Sequence, residues 1–363
     1  MIKPRKATIA DVARRAGVST ATAGRVLGDY GYSSGEKRDL VLQAAKDLGY
    51  RPNQLARSLI TGRTRTIGFV AGDIQSPFYA KILRGVSDVL EREDFGLLIT
   101  NSDESIQQEV CAIRLLTEKQ VDGLIVSPCD IEGADHLRSL AEIMPLVLID
   151  RMVDGLQVDS VGVDSVGAAR TCIARLIENG HRRIGMVGEF HTGPWTSLDA
   201  FVQMARSTAF PNLNLMYPSW QRFLGYVRAH DEAGLPIDSS LIARVNSYST
   251  DDTERAVHRL LSVDDRPTVL FTSDGQMTQG TMAALITARL RIPEDISLVA
   301  FDDLDWMAFV PPGIDAVAQP RRKMGETAAG MLLERIEGLD APARRERLSP
   351  RQIQRGSVLA LST

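Results

Sequence analysis

Polar residues follow short apolar runs at seven places along this chain: Asp73, Asn101, Ser127, Asp150-Arg151, Asp164, Ser273-Asp274 and Asp302-Asp303. The chain's short apolar runs, at 67–70, 97–99, 123–126, 146–149, 184–187, 269–271 and 298–301, are β-rich and almost wholly apolar. Such runs form strands buried on both faces of parallel sheets. Ligands of open α/β sheets bind beyond the carboxyl ends of the strands, so these seven places are the candidate binding residues. Carboxylates, an amide and a guanidinium converging on one cleft suit a small polyhydroxylated molecule, because Asp and Asn bridge hydroxyls while Arg donates in a fixed fork. A strand-end Asp also caps the helix that follows it, and Asp164 and Asp274 fit either role.

Enzyme chemistry finds little support. The chain lacks G-x-G-x-x-G, H-E-x-x-H and G-x-S-x-G, and Thr281 stands where a phosphate-binding loop opened by Gly275 and closed by Gly280 needs Lys. The five His form no ligand-spaced pair, and Cys111, Cys129 and Cys172 have neither metal-type nor disulfide-framework spacing. No metal, cofactor or catalytic residue is expected.

Amphipathic stretches at 79–93, 105–118, 166–179 and 275–289 lie between the apolar runs. This strand–helix alternation predicts a two-lobed α/β body. The first sixty residues read differently. Thr8 and Asp11 have capping-box spacing, with Ile9, Val12, Ala13 and Ala16 on one face and Gly17 as the stop. Ser19 caps a second helix that buries Ala23, Val26 and Leu27. A third starts near Ser33 or Ser34, with Leu40, Val41, Ala44, Ala45 and Leu48 inward. Helix, Gly-containing turn, helix and supporting helix is a helix-turn-helix arrangement. Its second helix then turns Thr20, Ala21, Gly24 and Arg25 outward, with Thr22 beside them. Arg25 is the long donor on that face, suited to a bidentate contact with guanine or to a phosphate contact.

Charge divides the same way. Residues 1–66 carry a balance of +8 and the rest −12, within a net charge of −4 over 363 residues. A basic front on an acidic body points to a polyanion met by the front alone. No apolar run reaches membrane-spanning length, and charges stand where a signal peptide would place its apolar core, so a cytoplasmic protein with no membrane partner is expected.

The segment TIADVARRAGVSTATAGRVL, followed by GYRPNQLARSLITGRTRTIGFV, closely resembles the LacI/GalR family of bacterial transcription regulators. DIQSPFYAKILRG, VDGLIVSP, LVLIDR, HRRIGMVG, SDGQMTQG and ISLVAFDDLDW extend the likeness in the family's order over nearly the whole chain. The resemblance implies an N-terminal all-α helix-turn-helix domain and an α/β body resembling periplasmic sugar-binding proteins. It also implies a homodimer on a pseudo-palindromic double-stranded DNA operator, acting as a repressor under allosteric control by a small molecule. The expected boundaries are 1–50 for the DNA reader, 51–65 for the hinge and 66–363 for the body. Lobe 1 is expected at about 66–163 and 313–338, and lobe 2 at about 164–312 and 339–363.

In the family a hinge helix forms on DNA and wedges a leucine into the minor groove; that residue matches Leu59, with Asn53 and Ala56 on the same segment. Family effector contacts match Phe78, Ser127, Asp150, Arg151, Arg222, Ser273, Asp302 and Gln319. Phe78 suits a core position or a ring-stacking platform equally. The ranking of effectors is a sugar or polyol first, a phosphorylated sugar or sugar acid second, and a purine third. Two features depart from the family's pattern. Gly24 replaces a Ser that contacts phosphate, at about 1 kcal/mol of helix propensity, either as a tolerated cost or as a changed docking. The segment 191–220 is roughly twenty residues longer than usual and holds Trp195, Met204, Met216, Tyr217 and Trp220, which suits a lid or an oligomer contact.

Overall fold

Thr8 and Asp11 begin the first helix by satisfying each other's backbone: Thr8 Oγ1 accepts the Asp11 amide at 3.3 Å, and Asp11 Oδ2 accepts the Thr8 amide at 2.9 Å. This capping box opens α1 (Ile9–Ala16), and Gly17 closes it in the left-handed conformation at φ 65°. The Ser19 hydroxyl accepts the Thr22 amide at 3.1 Å and caps α2 (Thr20–Gly28). Helix α3 (Gly35–Asp47) completes the unit. Val12, Ala13, Ala16, Ala23, Val26, Val41, Ala44 and Ala45 form its core. Leu40 and Leu48, expected inward, are 50% and 38% exposed, because the core is already filled by small residues from three helices.

The computed structural model describes residues 7–28, 34–50, 62–190, 197–207 and 216–361. The chain divides into two compact units, residues 1–66 with 120–122 and residues 67–119 with 123–363. The second unit contains two six-stranded sheets.

In the first lobe β1 (Thr66–Ala71), α4 (Pro77–Arg92), β2 (Gly96–Asn101), α5 (Ile106–Glu118), β3 (Gly123–Val126), α6 (Asp135–Ala141), β4 (Leu146–Ile149) and β5 (Asp159–Val163) follow in turn. The chain then enters the second lobe with α7 (Ser165–Glu178), β6 (Ile184–Glu189), α8 (Leu198–Ala205), α9 (Pro218–Glu232), β7 (Ile242–Val245), α10 (Thr250–Leu261), β8 (Val269–Thr272), α11 (Gly275–Thr287), β9 (Ser297–Phe301) and β10 (Asp315–Ala318). It returns for α12 (Arg321–Ile336) and β11 (Arg345–Leu348), and crosses back for β12 (Arg351–Ile353). The sheet orders are β11-β5-β4-β3-β1-β2 and β12-β10-β9-β8-β6-β7. The two lobes repeat one wiring.

Two expected boundaries move. Strand β10, placed by the sequence in lobe 1, pairs in parallel with β9, Asp315 opposite Val299; β11, placed in lobe 2, pairs in parallel with β5, Arg345 opposite Ser160. The second and third crossings therefore fall near 319–320 and 349–350. Strand β11 reads Arg-Glu-Arg-Leu and carries no apolar run to announce it, while β10 offers only Ala-Val-Ala after Asp315.

Each lobe is locked by a close helix pair. In α4 and α12 the backbones approach at Gly85 and Gly325, where an added Cβ would lie 2.0 Å from a carbonyl oxygen of the other helix. In α9, Gly225 makes a similar close approach to α7, where an added Cβ would lie 2.5 Å from the Val166 carbonyl oxygen.

Candidate functional site

On α2, Thr20, Ala21 and Arg25 are exposed, while Thr22 and Gly24 are half-buried. The Thr22 hydroxyl is 2.9 Å from that of Ser19 and accepts from Arg25 Nη2 at 3.5 Å. The capping network thus tethers the one long donor of this face loosely, leaving the guanidinium accessible. Asn53, Ala56 and Leu59 lie outside the described residues.

A second candidate lies between the lobes, at the carboxyl ends of both sheets, around a cavity of about 190 Å³. The first lobe lines it with Asp73, Ser76, Phe78, Tyr79, Glu104, Cys129, Asp150 and Arg151. From the second come Glu189, Tyr217, Pro218, Ser219, Arg222, Tyr248, Asp274 and Asp302, with Gln319 at a crossing. Polar contacts join the lobes: Lys81 pairs with Asp305, the Tyr217 hydroxyl donates to the Cys129 carbonyl at 3.1 Å, and the Arg321 guanidinium donates to the Asp303 carbonyl at 2.5 Å.

The repeated wiring explains why Asp150 and Asp302 face one cavity. Each follows the fourth strand of its lobe. Each donates its amide to the fifth strand, Asp150 to Val161 at 2.9 Å and Asp302 to Val317 at 3.0 Å. Both adopt the left-handed conformation, φ 70° and 77°, which Asp tolerates better than most residues but at a cost. Ser127 and Ser273 are a second equivalent pair, bonded to Val70 and Val187.

The guanidiniums are held firmly. Arg151 forms a two-pronged pair with Glu104, with Nη2 at 3.0 Å from Oε1, and its Nη1 reaches the Pro128 carbonyl at 3.1 Å. Its Cζ lies 5.4 Å from the centre of the Tyr217 ring. Arg222 is buried, with Cζ 3.9 Å from the centre of the Phe301 ring and Nη1 donating to the Ser273 carbonyl. Its Nε has no hydrogen-bond partner among the described residues. Gln319 Nε2 donates to Asp302 Oδ1 at 2.8 Å, while Gln319 Oε1 is buried without a partner. Burial pushes the Asp150 carboxyl up to about 6; Arg151 and Arg222 oppose this, while Asp302 and Glu104 add to it. Burial also raises Asp274, against the Met277 amide and Arg222.

Of the residues expected from sequence, Phe78, Asp150, Arg151, Arg222, Asp302 and Gln319 line this cavity together. Phe78 sets its ring edge-on to Tyr79, centroids 5.1 Å apart, and also packs on the lobe core. Ser127 and Ser273 do not line it: Ser127 Oγ lies 2.8 Å from the Tyr79 hydroxyl, and Ser273 holds Arg222 and bonds Asp274. They position lining side chains. Among the strand-end candidates, Asp274 both lines the cavity and caps α11. Asp164 caps α7 through the Gly167 amide at 2.9 Å, Asn101 accepts the Ile74 amide, and Asp303 pairs with Arg355. Sequence reasoning passed over Glu104, Glu189 and Tyr248. The strand-end rule reaches Glu104 and Tyr248, three residues beyond β2 and β7, once those strand ends are known.

The segment 191–220 needs a correction where it is described. Trp220 is neither a lid nor a stacking platform: it is fully buried, 5.0 Å from Phe190 and 4.8 Å from Phe201 between ring centroids. Helix α8 carries Phe201 into that aromatic cluster, so the added residues thicken the second lobe's core. Among the described residues singled out in this segment, Tyr217 alone reaches the cavity. Trp195 lies outside the described residues.

Comparison with known proteins gives consistent matches. The family model described as bacterial regulatory proteins, lacI family, matches residues 8–53, and that described as a periplasmic binding protein-like domain matches residues 173–358. The HTH-type transcriptional repressor PurR of Aliivibrio fischeri (strain MJ11) is 30% identical over 358 residues, 97% of this chain and 98% of the relative. The solved complex of the transcriptional regulator CelR with cellobiose is 27% identical, covers 97% of this chain and 99% of that one, and superposes with a TM-score of 0.68. The lac repressor dimer bound to operator and an anti-inducer is 21% identical, with a TM-score of 0.80 over 98% of this chain and 100% of that one. At that identity the likeness shows the fold: a helical headpiece and two α/β lobes of the periplasmic-binding-protein type.

Proposed function

The chain belongs to the lacI family of bacterial regulatory proteins, and from that premise we propose that it represses transcription as a homodimer on a pseudo-palindromic operator, under control of a small hydroxylated effector held between its lobes. The family makes it a DNA-binding regulator and not an enzyme. The observation that carries the finer reading is the cavity between two equivalent sheets, walled by Asp150, Arg222, Asp302 and Gln319. These side chains offer fixed donors and acceptors in a buried setting, where charged hydrogen bonds to hydroxyls are strong and directional. Ser127 and Ser273 support that wall from behind. The regulator with cellobiose bound supports a carbohydrate-type ligand.

Two rival effector classes fare worse. A phosphorylated sugar or sugar acid would bring negative charge to a cavity already rich in carboxylates. A purine would stack on Phe78 and the nearby Tyr rings, but the buried Trp220 is withdrawn from that role.

DNA is read in this proposal by α2, through Thr20, Ala21, Thr22, Gly24 and Arg25, with Asn53, Ala56 and Leu59 as minor-groove contacts from the hinge. A two-fold protein should select a two-fold site. Selection from random duplexes by the full chain should yield a pseudo-palindrome, bound with a steep loss of affinity as salt rises. Selection of no common sequence, or unchanged operator binding after deletion of residues 1–60, would overturn the reading.

A further inference from the structure

We propose that the ligand of the interlobe cavity carries a protonated amine alongside its hydroxyls, as an amino sugar or amino polyol does. The inference rests on the reading of this cavity as the effector site and narrows its ligand class.

The charge inventory is uneven. Besides Glu189, five carboxylates line the cavity, from Asp73, Glu104, Asp150, Asp274 and Asp302, against the guanidiniums of Arg151 and Arg222. Glu104 engages Arg151 on two prongs, and the Nε of that guanidinium lies 3.9 Å from Asp150, so one cation serves two carboxylates. Arg222 acts on both Asp150 and Asp274, and Asp302 adds its charge to both. Buried charge without compensation is costly. Burial raises the Asp150 carboxyl, and Asp302 and Glu104 add to that rise.

Gln319 supplies the independent sign of a donor-bearing ligand. Its Nε2 donates to Asp302 Oδ1 at 2.8 Å, the carboxylate oxygen accepting. The opposite end, Oε1, is then fixed as an acceptor. The residue is 5% exposed, lines the cavity, and finds no partner for Oε1 among the described residues. A buried acceptor of this kind calls for a donor from a ligand or water. Asp150, Asp302 and Gln319 Oε1 thus form an acceptor-rich, negatively charged wall. An ammonium has three donors and no acceptor, and it alone among the groups of small hydroxylated ligands also supplies the missing charge. Hydroxyls can meet the hydrogen bonds but leave the charge unbalanced; a phosphate or carboxylate worsens it. The remaining lining groups, Ser76, Ser219 and the two guanidiniums, serve the ligand's hydroxyls.

The test is calorimetry on the full chain at pH 7.5, using matched probes. These are glucose, glucosamine and N-acetylglucosamine; galactose, galactosamine and N-acetylgalactosamine; and sorbitol with 1-amino-1-deoxysorbitol. The N-acetyl compounds keep the nitrogen and remove its charge. At least one amine should bind 10-fold or more tightly than both its neutral and its N-acetyl counterpart. Asp302→Asn, which keeps shape and removes charge, should reduce that preference at least 10-fold, with thermal melting confirming the fold. Asp150→Asn serves as the second variant if Asp302→Asn does not fold. Neutral probes binding as tightly as the amines, with affinity still lost in the Asn variants, would overturn the amine while sparing the cavity as the effector site. Binding that neither Asn variant alters would overturn both readings, and failure of every amine to bind overturns this one.

Discussion

Asp150 and Arg25 carry the most exposed consequences at the scale of single residues. A carboxyl held at about 6 in the folded chain, against about 4 in an unfolded one, binds its proton more tightly when folded. Its contribution is fully present below about pH 4 and is lost as pH rises through about 6. The whole effect is on the order of 2–3 kcal/mol. Buried His181 and His230, with lowered values, act in the opposite sense, gaining stability as pH rises. The difference between wild type and Asp150→Asn isolates the Asp150 contribution. Urea denaturation without ligand should show wild type losing stability relative to that variant from pH 5 to 7.5; parallel curves would contradict the assignment. For Arg25, removal of a base contact should cost about 1–3 kcal/mol in operator affinity and relax preference at one symmetric base pair. An Arg25→Ala protein weakened equally on every duplex would show a phosphate contact instead.

At the scale of elements, the close helix pairs and the crossings explain what holds the cavity walls in register. Asp159 at the head of β5 accepts from Arg335 at 3.0 and 2.8 Å and from the Arg344 guanidinium at 2.7 Å. Those hydrogen bonds hold its carboxyl down at about 2 against burial, so its stabilisation is present above about pH 4 and lost as pH falls through about 2. This network ties β5, α12 and the start of β11 together, which fixes the chain's return to the first lobe. Asp159→Asn leaves two half-buried guanidiniums short of their partner and should destabilise the body by about 1–3 kcal/mol. Gly325→Val forces α12 away from α4 and should cost about 3 kcal/mol or more. Denaturation midpoints within error of wild type would show that these contacts do not hold the lobe.

Elements with a strong local signal were legible from sequence. The Thr8–Asp11 box and the apolar runs ahead of Asp150 and Asp302 act within a few residues and need no tertiary context. Strand β11 was misassigned because its partner is distant in the chain: it pairs with β5 across 185 residues, at Arg345 and Ser160, whereas β10 pairs with β9 across only 16, at Asp315 and Val299, and its short Ala-Val-Ala run does not mark the lobe it joins. Trp220 looked like a surface aromatic because the cluster that buries it, Phe190, Phe201 and Phe223, is assembled only when α8 packs on α9. Gln319 was placed at the site by resemblance, but the fixed direction of its amide follows from its bond to Asp302, which no sequence pattern displays.

At the scale of the whole molecule, a basic reader and an acidic, ligand-binding body share one chain, and the account stands or falls on whether they communicate. Coupling of about 1–3 kcal/mol would change operator affinity 5–150-fold when the cavity fills, and the same factor must appear in ligand affinity when operator binds. The most direct measurement is fluorescence anisotropy of the selected operator with full-length protein, titrated in the absence and presence of saturating cavity ligand, alongside Arg222→Ala. The account predicts a shift of at least 5-fold in wild type, abolished in Arg222→Ala at the same ligand concentration while operator affinity without ligand is retained. Identical operator isotherms with and without ligand, in protein that calorimetry shows to be fully occupied, would contradict it.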